Sequence, residues 1–358
     1  MDRICTTLVA AGHEVCLVGR LLPDSAPLAN RPYGQHRIRC RYTRGKAFYV
    51  EYNYRLYREI GRWPADVICA VDLDTLLAGH YLRKRLGCRL VYDAHEWFSE
   101  TPEVVTRPLI RAAWRRLGRW LVPQTDGRYT VGHALADRLA EDYGVPFATV
   151  RNLPRRSQVS DYPTPPDRDA RGRRVLLYQG MLNPGRGLDV AIRALAELPD
   201  CELWLVGSGP ETENLRKLAR TEGCADRVWF AGFRPPEELP AYTAAAWLGL
   251  NLLDAVSPSY YYSLANKSLD YVQAGLPSVQ MDFPEYVRLQ DTYNCYLLLG
   301  DLEPTGLAGL VRQLITDPPR YAELQRNCRR AAGILNWEQE ESVLLQLYAG
   351  LTLPPARD

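Results

Sequence analysis

The chain has 358 residues, 46% of them hydrophobic and 24% charged, with a net charge of +2. That composition describes a globular protein with room for two cores and excludes a disordered or collagen-like class. Nine cysteines lie without CxxC spacing, which argues against a zinc site or a disulfide framework and for small hydrophobes in a reducing compartment. No apolar run reaches the ~18 residues of a membrane span and no secretory leader is recognisable, so a cytoplasmic protein is expected. The small net charge hides an asymmetry. Residues 1–170 hold 26 Lys/Arg against 19 Asp/Glu, or +7; residues 171–358 hold 18 against 23, or −5. Two domains with different surfaces are expected.

MDRICTTLVAAGHEVCLVG begins inside a helix, with Ile4, Leu8 and Ala11 at helical spacing, and its first strand is EVCLVG (14–19). A doubly wound domain opens on a strand whose C-terminal loop faces the ligand. The N-terminal domain is therefore expected to lack its first strand, either as a variant or because a first segment is missing. Strands follow at DVICAV (66–71), CRLVYD (88–93) and RYTV (128–131), with a helix at 75–86. Asp72-Leu73-Asp74 ends one strand and starts that helix. Asp74 or Thr75 is placed to cap it, and a metal-holding DxD role is the lesser reading. His95 ends the strand RLVYDAH, where its ring can reach a cleft, with Asp72, Asp93 and Glu96 around it. TRPLIRAAWRRLGRWL (106–121) mixes five arginines with tryptophan and leucine, suiting either a solvated amphipathic face or an anionic membrane surface. No nucleic-acid module accompanies it.

Proline and charge mark residues 156–174 as a linker between an N-terminal domain (1–155) and a second domain (175–335). Beyond it the strand–helix rhythm sharpens: VLLYQG (175–180), CELWLVG (201–207), RVWFAG (227–232) and WLGLNLL (247–253), each leading to a helix or loop. Apolar strands alternating with helices indicate parallel sheets covered on both faces. The segment 336–358 reads as a final helix returning toward the first domain. Gly180, Gly185 and Gly187 leave a loop without Cβ atoms before a helix, where backbone amides and Arg186 could hold phosphate oxygens. The alternative is a solvated connection. LVGSGPE repeats the pattern with Gly207 and Gly209. SPSYYYSLANK is a loop at the same edge, leading into a short helix that carries Lys267 and, three residues on, Asp270. A carboxylate there suits the two hydroxyls of a ribose, or simply caps the helix.

YQGMLNPGRGLD, LVGSGPE, RVWFAGFRPPEELPAY and SLANKSLDYVQAGLPSV, in that order, together with LVAAGHEVCLVGR, AVDLDTLLAG and LVYDAHEWFSETPE, resemble the GT4-like retaining glycosyltransferases (group 1) over nearly the whole chain. The resemblance implies the GT-B fold, two facing Rossmann-like α/β domains with parallel sheets. It implies a nucleotide-sugar donor in the second domain and a sugar or lipid-linked glycan acceptor at the first, with no tightly bound cofactor and no metal. By this resemblance Gly180, Arg186, Gly187, Gly209, Leu264, Asn266, Lys267 and Asp270 form the donor site, His95 is the catalytic candidate near the transferred sugar, and Asp72, Asp93 and Glu96 are the acceptor-side candidates. Asp270 falls where the second glutamate of the family's E-x7-E motif binds the nucleotide ribose. Tyr262 replaces the first, and Met181 stands where many relatives carry arginine. A lipid-linked acceptor would favour the membrane reading of 106–121 and a peripheral place on the inner face of the cell membrane. The rival readings are an inactive or truncated relative that binds nucleotide, and a nucleotide-sugar epimerase of the same fold.

Overall fold

A computed structural model describes residues 1–23, 25–156 and 172–351. Most of the expected linker therefore lies outside the described residues. The chain forms two compact units: Met1–Arg151 together with the chain from Glu340, and Asn152–Gln339.

In the first unit the order is α1 (Asp2–Ala10), β1 (Cys16–Leu21), β2 (Gly34–Arg39), α2 (Gly45–Ile60), β3 (Val67–Val71) and α3 (Leu73–Leu86). Then come β4 (Arg89–Ala94), α4 (Pro102–Val105), α5 (Pro108–Leu121), β5 (Gly127–Thr130), α6 (His133–Tyr143) and β6 (Ala148–Thr149). Strands β3-β4-β5-β6 make one parallel sheet in that order, while β1 and β2 pair in parallel as a separate ribbon. Residues 2–10 are helical, and β1 is the first described strand. Central β4 is buried along nearly its whole length, because its RLVYDA run is covered on both faces.

The second unit runs β7 (Arg174–Gln179), α7 (Leu188–Ala196), β8 (Cys201–Val206), α8 (Thr212–Thr221), β9 (Val228–Gly232), α9 (Leu239–Ala245) and β10 (Leu248–Asn251). It continues with α10 (Pro258–Tyr261), α11 (Asn266–Gln273), β11 (Ser278–Met281), α12 (Pro284–Tyr293), β12 (Tyr296–Leu299), α13 (Pro304–Thr316) and α14 (Pro318–Ala332). The last helix, α15 (Trp337–Ala349), starts here, and its residues from Glu340 belong to the first unit. The six strands are all parallel, in the order β12-β11-β10-β7-β8-β9. Leu176, Leu203, Leu250 and Val279 fill one face and Val175, Leu177 and Trp204 the other. Both units are thus Rossmann-like. In the second, the winding reverses between β7 and β10, and ligands of such sheets lie beyond the carboxyl ends of the strands at that reversal.

One detail differs from the sequence expectation. SPSYYY is not wholly loop: α10 forms, with the Ser257 side chain accepting from the Tyr260 N–H, a side-chain N-cap. Asp72 sits at the N-cap position of α3 without making a side-chain cap bond. Its carboxylate turns instead to the next strand's end.

Candidate functional site

The switch point of the second unit gathers the basic candidates. Gly180 follows β7. An added Cβ there would lie 3.5 Å from the Lys267 side chain, and the Lys267 Nζ stands 4.8 Å from the centroid of the Tyr178 ring. Lys267 is on the first turn of α11, whose leading amides and partial positive charge add to its own. Burial and the Arg186 charge push the Lys267 pKa down to about 7, against an upward pull from Asp270. Arg186 lies over the Tyr260 ring at 5.0 Å, and its Nε is buried with no hydrogen-bond partner among the described residues. Two cationic groups converge, one with an orphaned donor, and this is the chemistry of an anion site.

The glycines make room for it. At Gly187, with φ +62°, a Cβ would meet the Leu252 carbonyl oxygen at 2.4 Å; at Gly207, with φ +148°, it would meet that of Gly180 at 1.9 Å. Only glycine permits these approaches. Gly209 backs onto Leu182. Asp270 receives the Gln179 amide at 3.4 Å, and Thr243 donates to the Gln179 oxygen at 3.0 Å. Asn266 accepts from Asn152 at 3.0 Å. Leu264 is buried in the hydrophobic core, so its side chain packs and does not line the site.

In the first unit the carboxyl ends of β3 and β4 gather a second cluster. Asp72 has φ +58° and ψ 167°, backbone space nearly reserved for glycine and strained by roughly 1–3 kcal/mol in other residues. Its Oδ1 accepts the His95 backbone N–H at 2.9 Å. Burial raises the Asp72 pKa to about 6. Burial and the other carboxylates raise Asp74 and Glu96 to about 7 each. The backbone amides of Asp74 and Thr75 beside this carboxylate pull the Asp74 pKa the other way. No group of three His, Cys, Asp or Glu suited to a metal occurs among the described residues. Asp93 is fully buried, so it has no surface for an acceptor. The structure moves it out of the acceptor set and behind His95.

Residues 1–155 match the model of Glycosyltransferase Family 4, and residues 173–317 that of Glycosyl transferases group 1. A GDP-mannose-dependent alpha-(1-6)-phosphatidylinositol monomannoside mannosyltransferase of Mycolicibacterium smegmatis is 35% identical over 151 residues, 39% of this chain and 38% of that protein's length. Sucrose-phosphate synthase from Thermosynechococcus elongatus superposes with a TM-score of 0.77 at 19% identity, over 98% of this chain and 92% of that one. Anabaena HepE, solved in complex with UDP and glucose, gives 0.73 at 17% identity, over 89% and 87%. The chain belongs to the group 1, GT4-like glycosyltransferases of GT-B fold.

In this glycosyltransferase the arginines of α5 are mostly committed inward. Arg111 and Arg115 reach the buried Glu100, and Arg119 pairs with Asp142 at 2.8 Å. The outer face keeps Leu109, 86% exposed, and Trp120, 49% exposed, with Arg107 and Arg116 exposed beside them. No described helix is long and apolar enough to cross a membrane. Sequence reasoning missed Gln179, Tyr178 and Thr243 in the second unit and Tyr129 in the first. Only Gln179 left a signal, as a polar residue at the end of an apolar strand.

Proposed function

We propose that the chain transfers a glycosyl unit from a nucleoside-diphosphate sugar to a hydroxyl of a sugar or lipid-linked glycan, with retention, in cell-surface polysaccharide or glycolipid synthesis. The observation that carries the reading is the convergence of Arg186 and Lys267 on the Gly180 turn at the β7/β10 switch point. The diphosphate lies against these cations and the α11 amides, and Asp270, braced by Gln179, takes ribose hydroxyls. The anomeric C–O bond to the diphosphate breaks and a C–O bond to the acceptor forms on the same face. The acceptor proton passes to the departing phosphate oxygen. No resident cofactor enters this reading.

His95 serves turnover, and Asp72 and Glu96 remain the acceptor-side carboxyls. The exposed Leu109 and Trp120, flanked by Arg107 and Arg116, support contact with an anionic membrane surface, on its cytoplasmic side.

Calorimetry with UDP, GDP and ADP tests the donor site. D270A and K267A are each expected to lose about 1.5–3 kcal/mol of affinity for the preferred nucleotide, the value of a hydrogen bond to a charged group. Unchanged binding in both variants places the ligand elsewhere. NMR of the product's anomeric centre reads the stereochemistry, and an inverted product rejects retention.

A further inference from the structure

Asp93 and Tyr129 are cross-strand partners in the β4/β5 register. A buried carboxylate is retained only where donors meet it. Asp93 Oδ2 has two: the Tyr129 hydroxyl at 2.9 Å and the His95 Nε2 at 3.2 Å. Its Oδ1 is buried without a hydrogen-bond partner among the described residues, so the carboxylate's hold on the protein runs through that one oxygen. Behind it, the Tyr129 hydroxyl lies 3.8 Å from the Cys69 sulfur, and Tyr348 of α15 stands beside both. On the other side, Asp72 fixes the His95 backbone N–H. The His95 side chain is 31% exposed, and its Nδ1 makes no hydrogen bond among the described residues.

We propose that Asp93, steadied by Tyr129, is the positioning residue of His95: it ties Nε2 inward and leaves Nδ1 as the nitrogen offered to a ligand hydroxyl. The inference rests on the reading of His95 as a functional group. With the proton on Nε2 directed into Asp93, the neutral ring keeps its lone pair on Nδ1 and accepts a hydrogen bond from a neutral carbohydrate hydroxyl. Burial alone lowers the His95 pKa. The Asp93 hydrogen bond and the Asp93 and Asp72 charges outweigh it, so the net shift is upward.

The test uses the full chain labelled with ¹⁵N-histidine, with His95 assigned among the five histidines by its loss in H95Q. In the wild type the proton is expected on Nε2. In D93N the new amide donates to Nε2, so the proton moves to Nδ1. Turnover should fall roughly 10- to 100-fold, as for other lost orienting partners, with nucleotide affinity unchanged. Y129F withdraws one donor from the Asp93 oxygen that faces His95, which raises the His95 pKa while the tautomer stays. A folded D93N with the proton still on Nε2 overturns the proposal. Where D93N does not fold, an unmoved His95 pKa in Y129F overturns it. A tautomer change in a chain that transfers no sugar upholds the positioning role and rejects the proposed reaction.

Discussion

At the scale of single residues, Lys267 shows the cost of burying a cation beside another cation. Its ammonium lies beside a second cation and over an aromatic ring, and the Asp270 charge offsets only part of the lost hydration. With its pKa down at about 7, the folded chain holds this proton less tightly than the unfolded one. Between pH 7 and the ordinary lysine value of 10.5 the unfolded state binds more protons. This residue therefore subtracts stability below that window and nothing above it. K267M should accordingly melt higher than the wild type at pH 7, by about 2–4 °C for each kcal/mol recovered. The gain should shrink as pH rises toward 10.5, and nucleotide binding should weaken. Differential scanning fluorimetry across pH checks it, and a K267M that melts lower at pH 7 refutes the assignment. Tyr129 and Gln179 act at the same scale. Tyr129 is not legible as a site residue before β4 and β5 are paired, since a cross-strand hydrogen bond has no trace in local sequence; Gln179 shows only its polarity at the end of an apolar strand, with its partners Thr243 and Asp270 on helices.

At the scale of elements, the start of α3 concentrates strain and charge. Asp74 keeps its proton to about pH 7, whereas the unfolded carboxyl releases it near 3.8. The folded state thus binds more protons between those values, and this group's contribution to stability falls as pH rises through them. D74N should match the wild type in melting temperature at pH 4 and exceed it at pH 8. A difference independent of pH would mean the carboxyl is ionised throughout. The elements also show what the sequence could say. Strands β7, β8 and β10 were readable because VLLY, LWLV and LGL are buried on both faces, leaving continuous apolar runs. Strand β2 was not, since GQHRIR is half-exposed and has neither an apolar run nor alternation. Helix α5 was readable as amphipathic, but the direction of its arginines depended on Glu100 and Asp142, which lie on other elements.

At the scale of the whole molecule, the first unit is closed by both ends of the chain. Glu340 on α15 accepts from the Arg151 backbone N–H at 2.7 Å, from its Nε at 3.0 Å and from its Nη2 at 2.6 Å. Both side chains are nearly buried. Glu341 takes the Thr7 hydroxyl at 2.8 Å, and Leu347 and Leu351 lie against Gly127 of β5. Breaking a buried ion pair by removing one partner costs about 3–5 kcal/mol, because the other charge is stranded. For a unit of this size that corresponds to a fall of roughly 6–20 °C. On the proposed function the nucleotide would act elsewhere: present at a hundredfold over its Kd, a ligand stabilises the unit that binds it by about 2.7 kcal/mol. Calorimetry of E340A should therefore lower one melting transition, and adding the preferred nucleotide should raise a different one. The second should persist in E340A, since β7 to β12 form one sheet within the second unit. A single transition moved by both treatments would show that the two units melt as one body, and that the last helix stabilises the whole chain instead of the first unit.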